Sequence, residues 1–163
     1  MLQKFISKET ELTALVNGIS VLKLPLLAFC TPRVIRLDEQ RSEVKVRLDL
    51  RTRNHLGVMY FGALAMGAEL SIALQAIESI RQSKQRIDFI FKDFKADFLK
   101  RADGHVHFIC DQAPGVAKLI AKAAQSPDRF EETFEGYAIV EGKESEPVMK
   151  YKLTLSVKNR SKK

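Results

Sequence analysis

The segment from Tyr60 to Ile80 constrains what this chain can fold into more than any other. Phe61, Leu64, Met66, Leu70, Ile72, Leu74 and Ile77 recur through it among many Ala and Gly and few polar residues. A helix built from it is apolar nearly all round, and such a helix has to be enclosed. Its length is about 31 Å at about 1.5 Å per residue. That also suits a bilayer, which about 20 residues would cross. Glu69 and Gln75 in mid-segment argue against a membrane. An acid at the centre of a span costs roughly 2.5–3.5 kcal/mol on insertion scales, and the amphipathic strands on either side would be stranded. The helix is expected inside a protein.

Those flanking strands are the second constraint. Val44, Val46, Leu48 and Leu50 alternate with Glu43, Lys45, Arg47 and Asp49, and Met149, Tyr151, Leu153, Leu155 and Val157 alternate with Lys150, Lys152, Thr154 and Ser156. A period of two with one apolar and one wet face suits an antiparallel sheet. Val34 to Leu37, His105 to Cys110 and Phe130 to Val140 read as further strands. From Ile87 to Leu99, Ile87, Phe89 and Phe91 share one parity and Phe94, Ala96 and Phe98 the other, so a bulge or bend is expected near Lys92–Asp93. About 8–24 reads as a helix with Gly18 as a weak point and Pro25 as its stop. Its face of Leu12, Leu15, Ile19 and Leu22 implies a docking or capping role. Pro114 to Gln125 reads as another amphipathic helix, with Pro114 in its first turn. The predicted class is α+β: one long helix wrapped by about five or six antiparallel strands, in a single domain over 1–163 with a basic C-terminal tail at 158–163.

Composition excludes several alternatives. With 45% hydrophobic and 29% charged residues, 8 Gly and 5 Pro, the chain is not collagen-like, disordered or of low complexity. The formal charge of +7 is concentrated, because Lys158, Arg160, Lys162 and Lys163 supply more than half of it. A basic arm can touch nucleic acid or an anionic membrane, but a solvated terminus is the commoner case. No aromatic-plus-basic motif of an RNA-binding sheet is present. Neither nucleic acid nor membrane is the expected partner. Cys30 and Cys110 form no disulfide framework, and Met1 to Thr13 lacks the unbroken apolar core of a signal peptide. A cytoplasmic, reducing location is expected.

The order of helix, strand pair, long buried helix and four strands resembles the hotdog fold. The residues that carry the resemblance are Asn54-His55-Leu56-Gly57-Val58-Met59-Tyr60-Phe61-Gly62-Ala63-Leu64, followed by Ala68-Glu69. They are similar to the Asn-His-x-Gly … His-Gly-Gly-x-x-x-x-Leu-x-Asp signature of phenylacetate-pathway (PaaI-type) thioesterases. Asn54, His55, Gly57 and Gly62 match, while Tyr60 and Phe61 stand where that family has His and Gly. Glu69 falls nine residues after Tyr60, where the family's catalytic Asp falls nine after its His. Phe98 to Gly104 is similar to the strand end that follows in these enzymes. The resemblance covers about 34–157 and implies an uncharacterised thioesterase-like branch. It implies hydrolysis of an acyl-CoA or related thioester at a subunit interface, in a homodimer or dimer of dimers, with no metal or redox cofactor. Carried over, it makes Glu69, Asn54, His55 and Gly62 catalytic and places Gly57, Tyr60 and Phe61 against substrate.

The chemistry has its own logic. Attack on a thioester carbonyl builds negative charge on its oxygen, and the start of an enclosed helix offers unpaired N–H groups and a positive dipole end. Gly57 and Gly62 allow close backbone approach. Glu69, more than two turns in, is placed as base or nucleophile, or else is a solvent-facing acid on an imperfectly enclosed helix. Asn54 and His55 either position water or the thioester or are ordinary turn residues. Phe61 puts a bulky side chain beside the oxyanion position, so the alternative to an enzyme is a non-catalytic acyl-binding protein on the same scaffold. Lys84, Arg86, Lys100 and Arg101 are candidates for the CoA phosphates. His105 and His107 share a strand face but read as an exposed pair with no acidic partner, not as metal ligands. Cys110, on the parity of Val106 and Phe108, reads as a small buried apolar residue. Gly136 to Lys143 lacks the spacing and the Ser or Thr of a phosphate loop.

Overall fold

In the computed structural model, which describes residues 7–161, the chain runs through ten elements. They are α1 (Lys8–Lys23), α2 (Pro25–Phe29), β1 (Arg33–Leu37), β2 (Ser42–Val46), α3 (Phe61–Ser83), β3 (Ile87–Phe98), β4 (Val106–Cys110), α4 (Ala113–Gln125), β5 (Arg129–Val140) and β6 (Pro147–Asn159). All six strands form one antiparallel sheet in the order β1-β2-β4-β5-β6-β3. The sheet curls around α3, and its inward side chains, among them Val46, Phe108, Tyr151 and Leu155, make the main core with Ala68, Ile72 and Ala76 of α3. α4, opened by Pro114 in its first turn, closes that core with Val116, Leu119 and Ile120.

Polar groups pin the apolar helix in place. The Tyr151 hydroxyl donates to the Ile109 carbonyl at 3.2 Å and lies 2.7 Å from the Ser71 hydroxyl on α3. Gln75 donates to the Asp38 carbonyl at 3.0 Å. Gly67 is required by close approach: a Cβ there would stand 2.2 Å from the Phe108 ring of β4. Enclosure is incomplete, however. Eleven α3 residues are buried, while Glu69 and Ile77 stand exposed on one flank and Phe61 at the start of the helix.

Three expectations need correction, and that for Pro25 is borne out and extended. β2 ends at Val46 although the alternation runs on to Leu50. Asp49 turns the chain there, accepting the Thr52 and Arg53 amides on its carbonyl and the Arg51 amide on its carboxylate. Leu48 remains half-buried and Leu50 is exposed. Pro25 stops α1 and also opens α2. The predicted apolar face of α1 is only partly covered: Leu12 packs on a small cluster of Leu27, Val34, Leu37, Val44, Leu70 and Leu74, but Leu15, Ile19 and Leu22 are exposed. Finally, the expected basic tail begins inside the sheet. β6 runs through Asn159, whose buried amide donates to the Ala124 carbonyl, and Arg160 pairs with Asp88 at 2.8 Å. Lys162 and Lys163 lie outside the described residues. The predicted shift of parity in β3 is present, with the register to β6 broken between Phe91 and Phe94.

Candidate active site

The uncovered flank of α3 is the floor of a groove of about 930 Å³. One wall is α1, through Leu12, Leu15, Val16 and Ile19, and the other is β3 from Phe89 to Phe94. Ala65, Met66, Glu69, Ala73 and Ile77 recur along the floor at helical spacing. Glu69 is the acid in its midst. No described residue makes a hydrogen bond or ion pair with it, and its apolar neighbours desolvate the carboxylate enough to raise its pKa above the ordinary glutamate range. At the far end Arg81 pairs with Glu78 at 2.7 Å, and Lys8 draws the same carboxyl downward. A large apolar cavity with one perturbed, unpartnered acid is the arrangement expected of a ligand site.

The other sequence candidates lie at the start of α3, outside this groove. No side chain caps the helix, so its first amides are left to other acceptors. The Tyr60 ring lies over Gly62, where a Cβ would meet it at 2.5 Å. Phe61 stands edge-on to Tyr60 and to Phe98, with ring centroids 5.9 Å apart in both pairs. All three rings are exposed and together form an aromatic rim. Asn54 is held in turn geometry: its carboxamide oxygen accepts the Leu56 amide at 2.9 Å, and its backbone is bonded to Val58 and Gly57. Gly57, at φ +76°, adopts the left-handed conformation that this turn needs. His55 is exposed at its tip. Thus six of the seven candidates gather at the helix entrance, and Glu69 lies two turns away on the groove floor. The α1 wall was not among the candidates, although its leucine face was the visible signal.

The histidine pair differs from expectation. Both are half-buried, and both have partners. His105 Nδ1 accepts the Leu48 amide at 3.1 Å. His107 Nδ1 lies 2.6 Å from Glu43, a bond that holds its pKa above the usual histidine value, and Nε2 is 3.5 Å from Glu141. Glu43 and Lys45 sit on β2 beside His107, so the acid missed in the sequence comes from the neighbouring strand. Both cysteines are buried free thiols, with pKa values raised by that burial. Among the described residues α3 is the one helix long and apolar enough to cross a membrane, and 61% of its most apolar window is buried inside the chain.

Known structures share this architecture. A Pseudomonas aeruginosa protein of unknown function, described as a probable thioesterase, superposes with a TM-score of 0.73 at 21% identity, over 91% of this chain and 96% of its own. A Chlorobaculum tepidum protein of unknown function gives 0.77 at 11% identity, over 92% and 96%. A thioesterase from Haemophilus influenzae gives 0.66 at 18% identity, over 98% and 96%. The fold is therefore the hotdog fold, shared with thioesterases. No curated protein matches the sequence. Residues 13–157 match the family described as a domain of unknown function, DUF4442, and the chain belongs to that family.

Proposed function

We propose that this protein hydrolyses an acyl-CoA or related acyl thioester, in the manner of the phenylacetate-pathway branch that its helix-entrance segment resembles, at a site shared by two copies of the chain. The observation that carries this reading is Glu69: an unpartnered, partly desolvated carboxylate on the floor of an apolar groove. About 930 Å³ falls within the roughly 300–1,000 Å³ of small-molecule sites. Glu69 takes a proton from water as the oxygen adds to the thioester carbonyl. The charge that develops on the carbonyl oxygen is met by the uncapped amides at the start of α3, next to Gly62. The C–S bond then breaks as the adduct collapses to the carboxylic acid, and the protonated Glu69 returns its proton to the departing sulfur, which leaves as the thiol. Within one chain Glu69 lies about 12 Å along the axis from Phe61, so the two halves of the machinery meet only when the helix start comes from a second copy. A homodimer supplies it, and a dimer of dimers repeats it. Asn54 and Gly57 hold the turn before the helix, His55 is free to reach the thioester or its water, and Tyr60 and Phe61 wall the entrance. Lys84, Arg86 and Arg101 are exposed for the CoA phosphates, whereas Lys100 pairs with Glu146. Two free thiols fit a reducing cytoplasm.

A second reading rests on the Tyr60 ring, which lies where a ligand would approach Gly62. A scaffold closed there binds acyl ligands without turning them over. A panel of acyl-CoA esters of increasing chain length, followed by thiol release and by binding of the unhydrolysed thioether analogues, separates the two. Thiol release supports hydrolysis; tight analogue binding without release supports the binding protein; neither one overturns both.

A further inference from the structure

At the end of α1 the chain presents apolar side chains outward. Leu22 is 84% exposed and Leu26 73%, and Val21 and Phe29 are also open to solvent. None of these four lines the groove. Arg51 donates to the Thr31 hydroxyl at 3.2 Å, which brings Leu50, 79% exposed, beside the end of α2. The result is an exposed apolar knob outside the groove. Between Glu11 and Asp38 the chain holds no acid, while Lys23, Arg33 and Arg36 lie in that stretch. Lys23, Arg33 and nearby Arg53 are exposed and have no carboxylate partner among the described residues. Asp49 is already engaged by Arg51 at 2.8 Å.

We infer that this knob is a docking surface for an anionic lipid bilayer. Projecting leucine and phenylalanine side chains enter the headgroup boundary, and basic residues around them meet lipid phosphates; binding scales with both. A second copy of the chain fits poorly. A two-fold interface sets a patch against itself, so the unanswered Lys23, Arg33 and Arg53 of each copy would meet their own kind. The inference is independent of the thioester reading. It also departs from the sequence-based expectation, which weighed only a spanning helix and the basic terminus.

The test is co-sedimentation of the full chain with vesicles of phosphatidylcholine alone and of phosphatidylcholine with phosphatidylglycerol in equal parts. Binding to the anionic vesicles is expected, weakening as salt is raised. Paired Leu22→Ser and Leu26→Ser should lower it at least about tenfold. Lys23→Gln and Arg33→Gln should each lower it about fivefold. Circular dichroism and light scattering should show the fold and oligomeric state unchanged, since all four side chains are exposed. Absence of binding to anionic vesicles overturns the inference, as does undiminished binding of the double leucine variant. A change of oligomeric state in that variant also overturns it, and assigns the knob to self-association.

Discussion

Glu69 is where the activity proposal stands or falls. Glu69→Gln keeps the size and hydrogen-bonding capacity of the side chain but removes base and nucleophile, and kcat should fall at least about 100-fold. Binding of a thioether analogue should change little. The same substitution carries a stability signature. Desolvation raises the carboxyl pKa in the folded chain, so between the unfolded and folded pKa values the native state holds the extra proton. Stability therefore declines as pH rises through that window. The expected outcome is a Glu69→Gln variant that melts higher than the parent at neutral pH and no higher once both forms are protonated in acid. A variant that turned over normally would leave Glu69 as a helix residue with no catalytic part. The position of Glu69 on an apolar helix was legible from the sequence because an acid in an apolar run is conspicuous. The roles of Asn54 and Gly57 were not, since an Asn-x-x-Gly turn and an Asn-x-x-Gly site look alike until the carboxamide is seen bonded to the Leu56 amide.

At the scale of elements, the close contact between α3 and β4 is the most sensitive point. Gly67→Ala would press a methyl group into the Phe108 ring, and overpacking of this kind costs about 1–3 kcal/mol. Urea unfolding should show the midpoint fall with little change of slope. The β2–β4 junction offers a pH-dependent counterpart. Glu43 raises the folded pKa of His107, so the stability from this pair is fully present below the unfolded value of about 6.5 and is lost as pH rises through the folded one. The gap in melting temperature between the parent and Glu43→Gln should be widest at the acid end of that range and close above it. Most elements were legible because their periods were clean: α3, α4, β6 and the β3 bulge all fall where the apolar parity places them. Two were misread for tertiary reasons. The alternation past Val46 continues into a chain that Asp49 has already turned, and the apolar face of α1 is covered at Leu12 but left open at Leu15, Ile19 and Leu22. Pattern reports which side chains are apolar; it cannot report what arrives to bury them.

At the scale of the molecule, β3 is the feature left unresolved by one chain. It is 12 residues long and among the described residues pairs only with β6, so its outer edge has no strand partner there. Ile90, Phe94 and Phe98 add exposed apolar surface along it. A long apolar edge of this kind is a template for pairing, and on the proposed reading its partner is the same strand in a second copy, related by a two-fold axis. Such a pairing would lie beside the groove, because Phe89 to Phe94 form one groove wall, and would bring the groove floor of one copy toward its neighbour. A symmetric dimer is therefore expected at micromolar concentration in sedimentation or light scattering. Ile90→Lys places a charge on the edge, where lysine is a common device against strand pairing. The variant should sediment as a monomer with its circular dichroism intact, and its turnover should collapse, because each copy then holds a carboxylate and a helix start that do not meet. A parent chain that is monomeric and still hydrolyses thioesters would remove the shared site, and with it the need for a second copy to bring the uncapped amides to Glu69.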